Sequence, residues 1–177
     1  DLTKKNDTFH LLCKGFEYDY SFIDNIGNRF LVQTNDGAPN FRVVSIDPTR
    51  PERENWKTVI TEKPEVLQGV GTAGGKLFSH YLKDVTTRIY QHDLNGNVER
   101  EIELPGLGTA GGFGGKREDK TLFYTFTSFH YPPTIFQYNV DSGKSKLFRK
   151  TEVKFNPEEY EVKQVFYSSK DGTKVPM

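Results

Sequence analysis

From Thr121 to Asp141 the chain reads TLFYTFTSFHYPPTIFQYNVD, two runs dense in aromatic and β-branched residues on either side of a Pro-Pro loop. Such residues suit a pleated, buried surface, so the stretch predicts two antiparallel strands. Leu122, Tyr124 and Phe126 fall on one face, while Phe123 and Phe129 fall on the other. A sheet with one wet face alternates apolar and polar residues more cleanly, so this pattern predicts a sheet covered on both sides.

Weaker copies of the pattern occur earlier. Runs beginning at Arg29 (RFLVQT), Lys76 (KLFSHYL) and Thr121 (TLFYTFT) are spaced by 47 and 45 residues. Their partners beginning at Arg42 (RVVSID), Arg88 (RIYQHD) and Thr134 (TIFQYN) are spaced by 46 and 46. A multi-strand repeat of this length is the signature of a β-propeller blade.

Each unit then divides into four strands. The first unit has Tyr18–Asp24, Phe30–Thr34, Phe41–Ile46 and Trp56–Thr61; the second Leu67–Gly71, Leu77–Leu82, Arg88–Leu94 and Val98–Leu104. The third has Thr109–Gly114, Leu122–Phe129, Thr134–Val140 and Ser145–Lys150. Asn95-Gly96-Asn97 is a strong turn signal, because Asn and Gly tolerate positive φ. Phe9–Lys14 fits the closing strand of a preceding blade. After Lys150 the pattern breaks: Asn156-Pro157-Glu158-Glu159 combines an N-cap, a first-turn proline and first-turn acids, which predicts one helical turn. Val162–Ser168 and Thr173–Met177 read as strands around a Lys170-Asp171-Gly172 turn. The expected fold is all-β: a partial propeller over residues 1–155 with four-stranded antiparallel blades at about 16–62, 66–105 and 108–151. Residues 156–177 are expected to be a linker and the start of another domain, and both chain ends read as cut.

Composition narrows the function. The 24 basic and 24 acidic residues balance, which removes the electrostatic case for a nucleic-acid or anionic-membrane partner. No transmembrane run or signal-peptide core is apparent, and the compartment stays open between cytoplasm and periplasm. Cys13 is the one cysteine, so neither an intrachain disulfide nor a cysteine metal cluster can form. It reads as a small buried hydrophobe.

Candidate chemistry is sparse. Gly69-Val70-Gly71-Thr72-Ala73-Gly74 and Gly106-Leu107-Gly108-Thr109-Ala110-Gly111 spell the dinucleotide fingerprint. That fingerprint works only with a helix after it, whereas strands are expected to follow here. Close backbone approach near a propeller axis is the better reading of these glycines. No serine stands in a G-x-S-x-G elbow. His10, His80, His92 and His130 show no metal-ligand spacing. His92-Asp93 occupies the column held by Ile46-Asp47 and Tyr138-Asn139, which suggests packing. Glu158, Glu159 and Glu161 read as a solvated linker, and Arg50, Glu52, Arg53 and Glu54 as an exposed loop. No catalytic, cofactor-binding or metal-binding residue is assigned, and no cofactor is expected.

Three segments carry a resemblance. TNDGAPNFRVVSID (Thr34–Asp47), FTSFHYPPTIFQYNVDSGK (Phe126–Lys144) and YEVKQVFYSSKDGTKVPM (Tyr160–Met177) resemble the prolyl oligopeptidase family of serine peptidases. The resemblance runs through essentially the whole chain and fits the prolyl-cleaving branch better than the branch that cleaves after basic residues. It implies the C-terminal part of a seven-bladed propeller, ending at the junction with an α/β-hydrolase domain. It further implies a Ser-Asp-His triad located downstream of Met177, so no triad member falls on a residue of this chain. The propeller's implied role is to gate entry of short proline-containing peptides. The implied partners are the parent's own catalytic domain and its remaining blades. The competing reading is a stand-alone propeller-type protein-binding module with no enzymatic activity. Open blade edges also predict self-association.

Overall fold

The computed structural model describes residues 11–177. Strand pairing follows the sequence repeat. In the first sheet β1 (Tyr20–Ile26), β2 (Arg29–Thr34), β3 (Arg42–Ile46) and β4 (Lys57–Ile60) lie side by side in chain order, each antiparallel to the next. The second sheet repeats this with β5 (Val66–Ala73), β6 (Lys76–Lys83), β7 (Thr86–His92) and β8 (Val98–Glu101). The third does so with β9 (Thr109–Gly112), β10 (Thr121–Thr127), β11 (Thr134–Asn139) and β12 (Lys144–Lys150).

The sheets pack face to face, and β6 shows why the middle one reads as apolar on both sides. Leu77 and Tyr81 join Leu31, Val43, Ile60 and Leu67 in the core between the first and second sheets. Phe78, one residue out of phase, joins Phe113, Tyr124, Phe126 and Tyr138 in the core between the second and third. Alternate side chains thus enter two different cores. Each fully buried Leu or Phe stabilises the stack by about 1.5–3 kcal/mol relative to exposure.

Several expectations change. Strand β10 alternates strictly: Leu122, Tyr124 and Phe126 are buried, and Phe123 is 47% exposed. Its outer face has no sheet against it, and the two-sided burial expected there is found instead in β6 and in β2 and β3, whose consecutive residues are buried on both faces. Of the expected strand Phe9–Lys14, residues Phe9 and His10 lie outside the described residues, and Leu11–Lys14 form no strand. The expected strand Thr109–Gly114 stops at Gly112, because Phe113 turns the chain away at φ 60°. In the tail, Asn156 caps a 3-10 turn at Pro157–Glu159 by accepting from the Glu158 N–H. The expected strand Val162–Ser168 shortens to β13 (Phe166–Ser168), which pairs with β14 (Lys174–Pro176).

Bulges recur in a pattern that side-chain periodicity does not encode. Each outermost strand carries one extra residue, at Val59, Glu99 and Phe148, where the ladder skips a position. A bulge re-aims the side chain it inserts. At Glu99 that side chain turns back towards the second sheet's interior edge, where it accepts from Gln91.

Candidate functional site

The first glycine-rich segment runs along β5, facing the third repeat, and the second leads into β9 beside β10 of its own sheet. Gly71 sits in β5, and a Cβ there would lie 2.4 Å from the Phe113 carbonyl oxygen of the third sheet. At Gly108, in the loop before β9, it would lie 2.3 Å from the Thr127 carbonyl oxygen. Gly69, Gly106 and Gly111 have open space around them, so close approach explains only part of the set. Strands β6 and β10 follow, not helices. A pyrophosphate would therefore meet no helix N-terminus at either segment.

The histidine column behaves as packing. Ile46, His92 and Tyr138 are all buried, at 0%, 1% and 0% exposure. The hairpin of β6 and β7 also joins His92 to Ser79, with Oγ 2.7 Å from Nε2. His92 Nδ1 lies 3.0 Å from the Gly96 carbonyl oxygen, which can only accept. Nδ1 therefore carries the proton, and Nε2 accepts from the Ser79 hydroxyl. This is the hydrogen bond that links a nucleophile to its base. Here a backbone carbonyl stands where a catalytic pair has an orienting acid, and Ser79 is 0% exposed. Burial lowers the His92 pKa, with the Gly96 hydrogen bond opposing it. A sealed, neutral and mutually satisfied pair is structural.

The other candidates disperse. His80 packs edge-on against Phe113 at 5.8 Å, and burial pushes its pKa down to about 4. His130 lies in the β10–β11 loop beside Tyr131, and His10 is outside the described residues. Cys13 is partly buried, and burial pushes its thiol up, away from the reactive thiolate. Glu158, Glu159 and Glu161 are exposed, and Glu161 pairs with Lys163 at 2.9 Å. In the loop after β3, Arg53 is more than solvated charge, since it pairs with the buried carboxylate of Asp36. Among the described residues no cluster of three metal-ligating side chains occurs, and no helix is long and apolar enough to cross a membrane.

A set of polar contacts around the second sheet is not among the expectations from the sequence. Tyr138 in the third sheet donates to Gln91 Oε1 in the second at 2.6 Å. Gln91 Nε2 donates to Glu99 at 2.7 Å and to the Val140 carbonyl at 3.2 Å. Lys76 pairs with the other oxygen of Glu99. Lys76 and then Gln91 hold the Glu99 carboxyl below its ordinary range, and burial pushes Tyr138 up to about 12. On the other side of the second sheet, Lys63 Nζ lies 3.8 Å from the Tyr90 ring centre and 4.6 Å from that of Tyr81. Burial lowers its pKa against the opposing pull of Glu65 and Glu101. Tyr138–Gln91 and Gln91–Val140 cross between the second and third repeats, whereas the Glu99 contacts brace the second sheet internally.

Residues 1–151 match the family described as "Prolyl oligopeptidase, N-terminal beta-propeller domain". The chain belongs to the prolyl oligopeptidase family. It is 47% identical over 177 residues to a prolyl endopeptidase of Elizabethkingia miricola, covering 100% of this chain and 25% of that protein. It is 45% identical over the same span to the prolyl endopeptidase of Elizabethkingia meningoseptica, with the same coverage. A dual function macrocyclase-peptidase of Galerina marginata is 32% identical over 164 residues, 90% of this chain and 22% of that one. Among solved structures, one from an analysis of two prolyl endopeptidases superposes with a TM-score of 0.88. It is 42% identical and covers 97% of this chain and 25% of that chain. Prolyl oligopeptidase B from Galerina marginata gives 0.84 at 27% identity, covering 98% and 25%.

The chain thus spans about a quarter of the length of its curated relatives. The family match accounts for the three sheets and leaves residues 152–177 outside it. The description it carries is of an N-terminal domain. It does not carry the narrower expectation of a C-terminal propeller portion followed by a hydrolase hairpin.

Proposed function

We propose that this chain is the substrate-gating propeller segment of a prolyl-cleaving serine oligopeptidase, and that its own residues perform no peptide-bond chemistry. The observation that carries this reading is the identity to prolyl endopeptidases along all 177 residues, on sheets in which the Ser79–His92 pair is sealed. The propeller restricts access to a catalytic domain that supplies the Ser-Asp-His triad, and short peptides containing proline are the substrates of the whole protein. The segment's partners are then that catalytic domain and the other blades.

The domain boundary near residue 155 belongs to the same proposal. The family match ends at residue 151, and β13 and β14 pair with each other and with no strand of the three sheets. Residues 156–177 then form a linker and the first hairpin of the domain that follows. The reading frame beyond Met177 tests this directly. A few hundred further residues with a serine in a glycine-flanked elbow are expected. An early stop, or further blades alone, would favour the stand-alone binding module and overturn the peptidase reading.

A further inference from the structure

The repeat breaks at the connection from β9 to β10. Between β5 and β6 the chain turns through Gly74 and Gly75 alone, whereas between β9 and β10 it runs from Phe113 to Lys120. The longer connection lies along the free edge of β5. There Gly115 donates its N–H to the Thr72 carbonyl and the Lys116 carbonyl accepts from the Gly74 N–H, both at 3.0 Å. Asp119 Oδ2 accepts from the Lys116 N–H at 2.7 Å and holds the connection in shape. Phe113, at its start, is fully buried and stacks on Phe78 of the second sheet and Tyr124 of the third. Backbone bonds and stacked rings therefore lock the third sheet to the second.

The joint between the first and second sheets is fastened differently. One backbone bond crosses it, from the Leu67 N–H to the Asn40 carbonyl, with a counterpart at the other joint from Thr87 to Gly108. Gly96, in the β7–β8 turn, packs on the Val59 backbone. The remaining polar ties are side chains. Gln33 Nε2 donates to the Leu67 carbonyl at 3.0 Å, and Asp24 in β1 lies 3.8 Å from Arg117. The linker into β5 is held to the first repeat by Asn40, which donates to Glu62 at 2.6 Å and to the Pro64 carbonyl at 3.2 Å. Lys63 holds the same linker to the second sheet, with its ammonium over the Tyr81 and Tyr90 rings. The next linker repeats the spelling 41 residues on, Glu62-Lys63-Pro64 becoming Glu103-Leu104-Pro105. Leu104 packs on the apolar core of its joint. One joint is thus plugged by a leucine and the other pinned by a cation.

We propose that the first sheet is a separate body that opens at its joint with the second, while the second and third sheets move as one. Lys63 is the pin of that joint. Position at a chain end does not account for the difference, because the first and third sheets each have one neighbouring sheet in this chain. The third has the more open outer face, with Phe123 and Phe148 about half exposed, whereas Val32, Val44 and Ile46 are buried on the first. In the gating role proposed above, the propeller wall yields at this joint. That step alone rests on the gating reading, and the joint itself rests on the sheets.

The test is native-state hydrogen exchange, read by mass spectrometry in low urea, on the unsubstituted chain, Lys63→Gln and Lys63→Arg. Amides of β2 and β3 are expected to exchange through one shared opening that leaves β6, β7, β10 and β11 protected. Those four strands should then exchange together in a rarer opening. Fraying from the chain ends alone predicts that the third sheet opens first. Lys63→Gln removes the cation from the two rings and should speed the first-sheet opening roughly three- to thirtyfold, with the other sheets unchanged. Lys63→Arg keeps a cation over the rings and should stay near the unsubstituted rate. One opening shared by all three sheets, or a third sheet that opens first, overturns the proposal. So does a Lys63→Gln effect that is absent or spread equally over the three sheets, or an arginine variant that behaves like the glutamine one. None of these outcomes bears on whether the whole protein cleaves peptides, so the two readings fail separately.

Discussion

Gly71→Ala tests the close approach of the second and third sheets. The added methyl carbon would lie 2.4 Å from the Phe113 carbonyl oxygen and 3.2 Å from its carbon, both backbone atoms. Backbone cannot rotate aside as a side chain can, so relief requires the third sheet to retreat. The retreat would loosen the aromatic cluster in which Phe113 stacks on Tyr124 at 4.6 Å and on Phe78 at 5.8 Å. Overpacking of this kind costs about 1–3 kcal/mol. The reduced freedom of the unfolded chain returns about 0.4–1 kcal/mol. A net loss of about 1–2 kcal/mol is expected. Gly69→Ala is the matched control, two residues away in the same strand with nothing within 4 Å of its added carbon. It should be neutral or slightly stabilising. Urea unfolding followed by Trp56 fluorescence reads both, and a loss of this size moves the midpoint by roughly 0.5–1 M for a slope of about 2 kcal/mol per molar. Equal effects from the two substitutions would refute the close approach at Gly71.

Other consequences follow from the polar contacts. Protonating His80 is opposed in the folded state, where its pKa is about 4 against an ordinary 6.5. The unfolded chain therefore binds more protons between these values. The stability due to neutral His80 is fully present above pH 6.5 and is lost as pH falls through 4, with a slope of up to about 1.4 kcal/mol per pH unit. His80→Gln should flatten that part of the stability profile, and an unchanged slope would count against the shift. Tyr138→Phe leaves Gln91 Oε1 without its 2.6 Å donor in a buried setting. It should cost about 1–3 kcal/mol. In a double-mutant cycle with Gln91→Met the two losses should fall short of additivity, whereas strict additivity would show that the pair is not coupled.

The repeat was legible because it governs strand pairing, the strongest regularity in the chain. The same regularity gives contacts between neighbouring sheets, since Gln91 and Tyr138 lie 47 residues apart, one repeat length. The Ser79–His92 bond could also be read from the β6–β7 hairpin, whose ladder sets Leu77 opposite His92. The bulges at Val59, Glu99 and Phe148 could not, because they are backbone events and the inserted residues are of three different types. Nor could the exposure of Phe123, which depends on whether a sheet lies against β10 and not on its own sequence. Phe113 is similar: its φ of 60° is compatible with neighbouring glycines but not demanded by them. At the Ser79–His92 pair, the side-chain types alone read as reactive, and it is their burial that makes the pair structural.

In the proposed gating role, the peptide-bond chemistry lies outside these sheets. The most direct measurement incubates the purified chain with a chromogenic Gly-Pro amide and, separately, with a serine-directed fluorophosphonate. The account predicts no product above the buffer blank and no labelled residue. Product release that the fluorophosphonate abolishes, with the label on Ser79, would contradict it.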